Sequence, residues 1–245
     1  LLEELLVLTS SFSIYKRVNR YRLGTTPLDV LSLRLMTKAA VQTRVDLGEL
    51  LPLMEEFYTI QGEGAHTGKS AYFIRIGGCD VGCHWCDVKE SWDAAIHPPT
   101  EADLIAENAA KYSDTIVVTG GEPLMWDMAP LTRKLKAKNL TVHIETSGAY
   151  PLSGQWDWIC LSPKKRMPPK AEVLEKADEL KVIVYNKSDF EFAEKHAALV
   201  GKDCVLFLQP EWSVREKMIP LIVDYVMKHP KWKVSLQTHK YLNIP

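Results

Sequence analysis

The chain reads as an α/β protein, a partial (β/α) barrel of mostly parallel strands, on three observations. From about residue 51 onward, short apolar runs of strand length alternate with longer amphipathic runs of helix length. Several short runs, Ile116-Val117-Val118 and Val205-Leu206-Phe207-Leu208 among them, are continuously apolar, as strands buried on both faces must be. Glycine and polar punctuation follows the runs instead of being scattered. Repeated β–α units imply parallel strands with right-handed crossovers, and about seven candidate strands fall short of a closed eight-stranded barrel.

Taken in order, the first fifty residues stand apart. They lack the alternation and hold two apolar patches, around Leu5–Leu8 and Val30–Met36, that suit short helices. The chain opens on Leu1, so residues 1–50 read as an extension or upstream-frame artefact outside the core fold. The motif-bearing domain then spans 51–245, starting near Leu51-Pro52-Leu53-Met54. Candidate strands are Ala71–Ile76, Thr115–Thr119, Thr141–Thr146, Trp158–Leu161, Leu180–Tyr185, Cys204–Leu208 and Lys233–Thr238. Helix starts between them are marked by capping-box-like pairs, Thr100 with Asp103, Ser188 with Glu191 and Ser213 with Glu216. Gly201 is placed to end the second of these helices.

Composition excludes several classes. A formal charge of −1, from 30 basic and 31 acidic side chains, leaves no electrostatic footprint for nucleic acid. No apolar run is long enough to span a bilayer, and no signal-peptide pattern is present. Clustered free thiols in a near-neutral chain point to a reducing cytoplasm.

The residues that stand out most are Cys79, Cys83 and Cys86, three of five cysteines, spaced Cys-x3-Cys-x2-Cys on a glycine-rich loop after Ile76. A structural zinc site needs a fourth ligand at finger-like spacing, and Cys160 and Cys204 sit inside apolar runs instead. Three clustered cysteines cannot pair off as disulfides. A three-thiolate iron–sulfur loop fits best, leaving one iron open to a small molecule.

The other unusual segments are Thr119-Gly120-Gly121-Glu122-Pro123, Glu145-Thr146-Ser147-Gly148, Ser162-Pro163-Lys164, Gln209-Pro210-Glu211 and Gln237-Thr238-His239. Each follows a strand, and in a parallel barrel these ends share one mouth. Gly120-Gly121 suits a tight turn, or a close approach of backbone to ligand. Glu145 ends a buried strand, where a bound polar ligand or a nearby Arg or Lys must relieve its charge. Lys164 and Lys165 equally suit a solvated basic turn.

The cysteine spacing, with aromatic Trp85 directly before the third cysteine, resembles the signature of the radical S-adenosylmethionine (SAM) superfamily. That resemblance implies a four-iron four-sulfur cluster on Cys79, Cys83 and Cys86, with SAM on the fourth iron as source of a 5′-deoxyadenosyl radical. From about Leu53 to Pro245 the chain further resembles the 7-carboxy-7-deazaguanine synthase family, carbon–nitrogen lyases of the queuosine pathway. This likeness rests on Tyr58-Thr59-Ile60-Gln61-Gly62-Glu63-Gly64, Arg75 four residues before Cys79, the post-strand motifs above and the His239–Pro245 terminus.

The likeness implies ring contraction of 6-carboxy-5,6,7,8-tetrahydropterin with loss of ammonia. It places Ile60, Gln61, Gly62, Glu63, Arg75, Thr119, Glu145, His239 and the Pro245 carboxylate at the substrate. Arg75 suits a carboxylate, and Glu145 suits the N–H donors of the pterin's guanine-like edge. Trp85, Cys86, Asp87, Gly121, Glu122, Ser162, Pro163, Lys164, Gln209, Pro210, Glu211 and Trp212 would face SAM. A homodimer and an electron donor such as flavodoxin or ferredoxin are also implied. Family members commonly place a threonine after Cys-Asp to help bind magnesium. Here Val88 has no oxygen to offer a hard cation, so magnesium would need backbone, water and substrate oxygens, or Lys89 would replace its charge. Two other readings are a short radical SAM enzyme acting on a protein, such as a glycyl-radical activase, and a non-catalytic iron–sulfur or zinc module.

Overall fold

Strand residues divide by parity into an apolar set that faces the helices and a mixed apolar and polar set that faces away from them, and that division shapes the molecule. The computed structural model describes residues 37–245. Its first half runs α1 (Lys38–Asp46), β1 (Leu50–Ile60), β2 (Ser70–Ile76), β3 (Pro99–Glu101), α2 (Ala102–Ala109), β4 (Thr115–Gly120), α3 (Ala129–Ala137) and β5 (Thr141–Thr146). The second half runs β6 (Trp158–Leu161), α4 (Ala171–Lys176), β7 (Glu179–Val184), α5 (Ser188–Ala197), β8 (Val205–Pro210), α6 (Arg215–Lys228), β9 (Trp232–Val234) and α7 (Thr238–Leu242). The strands form one open nine-stranded sheet in the order β3-β1-β2-β4-β5-β6-β7-β8-β9. From β2 to β9 all neighbours are parallel, while β1 pairs antiparallel with both β2 and β3.

One face of the sheet presents Ile74 and Ile76, Ile116 and Val118, Val142 and Ile144, Leu180 and Val182 to the helices, and these form the main core. The intervening residues occupy the opposite, concave face. The register aligns Arg75 with Thr119, Glu145 with Cys160, and Lys181 with Phe207 across neighbouring strands. The second face thus mixes the small apolar cluster of Ala71, Phe73 and Val117 with polar groups around a hollow.

The expected β5 and β6 agree with the observed bounds, and the others agree within two residues at their starts. The expected last strand stops early, at Val234, because Thr238 opens α7 and donates from its amide to Gly62 O at 2.9 Å. Helix starts fall near the three marked pairs, but the capping boxes do not form. Thr100 lies in β3 and donates to Pro98 O, Ser188 donates to Asn186, and Ser213 donates to Glu211, whose carboxylate caps the turn. Gly201 lies beyond the end of α5 at Ala197 and does not cap it.

Residues on both sides of the expected boundary at 50 make contacts with the sheet. Leu50 is the fully buried first residue of β1. Upstream of it, Arg44 in α1 reaches Glu49 at 2.9 Å and Glu101 at 2.7 Å. Gly48, at φ +66°, lies so close to Asp127 that a Cβ would sit 2.0 Å from its carbonyl oxygen. The folded unit therefore includes α1. The patches at Leu5–Leu8 and Val30–Met36 lie outside the described residues.

Glu56 is an outlier on β1. It pairs with Ile74, and its Oε1 and the buried Tyr72 hydroxyl lack hydrogen-bond partners among the described residues. Burial pushes its carboxyl up to about 7, against the pull of Asn108 and Lys111. An acid whose folded pKa exceeds its unfolded value loses stability as pH rises between the two, and the penalty is complete above the folded value. Glu56→Gln is therefore expected to stabilise by on the order of 1–3 kcal/mol near pH 8 and to do little near pH 4. Thermal unfolding of both proteins at both pH values checks this. An equal shift at each would rule out the charge as the cause.

Candidate active site at the carboxyl ends of the strands

The carboxyl ends of the parallel strands open on one cavity of about 420 Å³. Every residue expected at substrate or SAM lines it except Pro163, which is buried behind the wall. Val88 lines it too, whereas Lys89 does not and lies over the Trp92 ring at 6.0 Å. Phe57, Phe73, Val81, Trp92, Lys181, Ile183 and Lys240 join the wall without having been expected there.

The cysteine loop leaves β2 through two glycines pinned by backbone hydrogen bonds. Gly77 N donates to Pro52 O at 2.7 Å, Gly78 N to Ser91 O at 2.7 Å, and Cys79 N to Trp92 O at 3.1 Å. The three thiols line the cavity wall, and among the described residues no three metal-binding side chains crowd onto a single-ion position. Burial, with the nearby Glu122 and the other two cysteines, pushes the Cys79 thiol up to about 11. Burial likewise raises Cys83. Three thiols set around one hollow suit a cationic multi-iron cluster that would bind all three as thiolates. Cys160 and Cys204 belong to β6 and the approach to β8, away from this loop.

The Gly120-Gly121 pair brings two stretches of backbone together. Gly120 adopts φ +133°, and a Cβ there would lie 2.1 Å from Ile76 O; at Gly121 it would lie 2.2 Å from Gly78 O. Gly121 N donates to Ile76 O and Glu122 N to Gly78 O, both at 2.8 Å. The glycines let the end of β4 lie directly against the backbone of the cysteine loop. Glu122, only 1% exposed, then ties β4 to β5 by accepting from Thr146 Oγ1, Ser147 N, Ser147 Oγ and Leu124 N.

Glu145, also on the wall, is not left unpaired. Its Oε1 accepts from Gln61 Nε2 at 2.8 Å, and its Oε2 meets Lys181 Nζ at 2.8 Å. The same ammonium lies 2.5 Å from Glu63 Oε2, while Gln237 Nε2 donates to Glu63 Oε1 at 2.9 Å. Burial opposes the Glu63 charge, but Lys181 and Gln237 bring its pKa down to about 2. Lys181 escaped sequence reading, although a charge interrupting the apolar run Leu180-Lys181-Val182-Ile183-Val184 is a legible signal.

The remaining contacts frame the mouth. Arg75 forms an ion pair with Glu55 at 3.1 Å without an aligned hydrogen bond, and its guanidinium lies over Phe57 at 5.4 Å. Gly62 admits the His239 ring, whose Nδ1 would be 2.3 Å from a Cβ there; burial lowers the His239 pKa. Lys164 donates to Ser162 and lies 5.4 Å over Trp85. Gln209 accepts from Ser235, and Glu211 caps the turn carrying Trp212. Asp87 is held by Lys240 Nζ at 2.7 Å.

Comparison with known proteins agrees with this geometry. The Radical SAM superfamily matches residues 73–187, from within β2 to the residue before α5. The chain is 72% identical over 210 residues to the 7-carboxy-7-deazaguanine synthase of Flavobacterium psychrophilum, covering 86% of this chain and 100% of that protein. It is 48% identical over 194 residues to the synthase of a Synechocystis species, covering 79% and 93%. The crystal structure of QueE from Escherichia coli superposes with a TM-score of 0.67 at 30% identity, covering 76% of this chain and 93% of that one. Relatives this similar along nearly their whole lengths, with the three cysteines placed on one cavity of the shared fold, settle the kinship. The chain belongs to the 7-carboxy-7-deazaguanine synthase family of radical SAM enzymes.

Proposed function

We propose that this protein converts 6-carboxy-5,6,7,8-tetrahydropterin into 7-carboxy-7-deazaguanine with loss of ammonia. The observation that supports this reading best is the shared cavity, which the three thiols line together with Arg75, Glu63 and Glu145. A four-iron four-sulfur cluster held by Cys79, Cys83 and Cys86, with SAM beside it, would supply a 5′-deoxyadenosyl radical able to take a hydrogen atom from the substrate.

The chain's own residues bind, orient and shield. Arg75 offers guanidinium donors to the substrate carboxylate. Glu63 and Glu145 accept from the N–H groups of the pyrimidine edge, joined by Gln61 and His239. His239, held neutral by burial, can donate from one ring nitrogen and accept at the other. Phe57, Phe73 and Trp92 supply apolar wall that limits water around a reactive radical. Ile60, Gly62, Thr119 and Pro245 complete the substrate side. On the SAM side we place Trp85, Asp87, Gly121, Glu122, Ser162, Lys164, Gln209, Pro210, Glu211 and Trp212, with Pro163 supporting Lys164 from behind. A low-potential donor such as flavodoxin or ferredoxin, a homodimeric state and a cytoplasmic location belong to the same reading. No helix among the described residues is long and apolar enough to cross a membrane.

The residues beside Cys86 do not fit magnesium. Val88 brings no oxygen, and the Asp87 carboxylate is already engaged by the Lys240 ammonium. No step is assigned to the ion. Turnover of wild type is expected to change little between chelator and added magnesium, and Val88→Thr is expected to gain a magnesium response. Strong stimulation of wild type, unchanged in the variant, would show the side chain at 88 to be irrelevant.

The reaction itself is tested by anaerobic reconstitution with iron and sulfide, followed by assay with SAM, a reductant and the carboxypterin. Formation of the deazaguanine product is expected. SAM cleavage that the pterin neither stimulates nor channels into product would refute the assignment.

A further inference from the structure

We propose that Lys181 is a positioning residue, whose single ammonium keeps the Glu63 and Glu145 carboxylates side by side as hydrogen-bond acceptors for the substrate's pyrimidine edge. This rests on the proposed reaction and adds to it a residue that acts through the two acids. Three observations carry it. The Lys181 side chain is 2% exposed, on the concave face of β7, where the neighbouring positions of the register hold no other cation. Its Nζ meets Glu63 Oε2 at 2.5 Å and Glu145 Oε2 at 2.8 Å, so the two acids come from different elements and share one counter-charge. The second oxygen of each acid is fixed by an amide, Gln237 Nε2 at 2.9 Å and Gln61 Nε2 at 2.8 Å.

Two carboxylates this close, partly buried, cannot both stay charged without a cation between them. The other groups facing the trio do not supply one. Cys160 from β6 and Glu179 from β7 are neutral or negative, and His239 from the carboxyl-terminal helix is held neutral by burial. The two other cavity lysines are engaged elsewhere, Lys164 with Ser162 and Lys240 with Asp87 and the Gln237 side-chain oxygen. Removing the Lys181 charge should therefore leave one of the two acids protonated near neutral pH. A protonated carboxyl presents a hydroxyl donor to a substrate edge that itself only donates there. The fault should be curable by base, because raising the pH ionises the orphaned acid again.

The test is Lys181→Met, compared with wild type for turnover of the carboxypterin from about pH 6.5 to 8.5, with equilibrium binding of the pterin to cluster-free protein followed by pterin fluorescence. Wild type should show a nearly constant KM and binding constant. The variant should show both raised about tenfold at the acid end, the loss expected for one mis-set buried hydrogen bond, and recovering toward wild type as pH rises, with kcat less affected. Lys181→Met/Glu63→Gln removes one acid together with the cation and should flatten the pH dependence again; it also carries the test if the single variant does not fold. A KM raised equally at every pH, or unchanged, would overturn the clamp. If wild type neither binds nor converts the pterin, the proposed reaction itself fails, and the clamp falls with it.

Discussion

Cys83→Ala is expected to give a folded protein that takes up little iron, cleaves no SAM and has no measurable turnover. The expectation of intact folding comes from where Cys83 sits. It is half-buried in a loop without regular structure, and the backbone bond from Cys86 N to Cys83 O survives the change. The apolar core beneath the sheet contains no residue of this loop. The expected loss of chemistry comes from ligand count. Three thiolates are the least that hold a cubane with one open iron, and two leave it exchangeable. Cys204→Ser is the matched control: Cys204 lies at the approach to β8, and loading should be unchanged. Iron and sulfide per chain after anaerobic reconstitution, and 5′-deoxyadenosine formed, are the measurements. Full iron with normal SAM cleavage in Cys83→Ala would mean that another residue completes the site. Zinc bound stoichiometrically by wild type, to the exclusion of iron, would instead favour a structural centre.

How far the site could be read before the fold was known depends on the kind of signal. Motifs that follow strands were legible, because a parallel sheet sends every carboxyl end to one face; Thr119, Glu145, Ser162 and Gln209 duly line one cavity. The β1 strand was not legible. Pro52 and the pair Glu55-Glu56 interrupt its pattern, and only its place near the sheet edge, with Pro52 opposite Pro99 of a three-residue β3, makes proline tolerable there. Reading the strands as apolar on both faces hid the second face. Thr141-Val142-His143-Ile144-Glu145 alternates cleanly, with His143 against His66 and Glu145 on the cavity wall. Lys181 was overlooked for the same reason, since its role depends on Glu63 and Glu145, partners 118 and 36 residues away. The capping pairs marked helix starts correctly while their hydroxyls bonded elsewhere, a reminder that Ser and Thr near a helix start have several local acceptors to choose among.

The glycines after β4 carry the second large expectation, and here two neighbouring substitutions should fail differently. At Gly121 the backbone torsion suits any residue, so Gly121→Ala is a purely steric insult: its Cβ would lie 2.2 Å from Gly78 O and 2.9 Å from Cys79 Cβ. Relief requires the cysteine loop to move away from β4, loosening the bond from Glu122 N to Gly78 O. Overpacking of this kind costs about 1–3 kcal/mol, which a domain of this size should survive. The displaced loop, however, carries Cys79, and cluster loading and turnover should drop sharply while secondary structure persists. Gly120→Ala adds a torsional fault to the steric one, since φ +133° suits glycine and the new Cβ would lie 2.1 Å from Ile76 O and 2.4 Å from Ile76 N. Those atoms belong to β2 itself, paired with Gly120 in the ladder, so relief must pry β2 and β4 apart at the end that builds the site. Thermal unfolding of cluster-free protein should therefore show the larger fall for Gly120→Ala, and iron content should be low in both. Gly121→Ala with full iron and wild-type turnover would mean that the loop yields freely, and that its close packing on β4 is not what places Cys79.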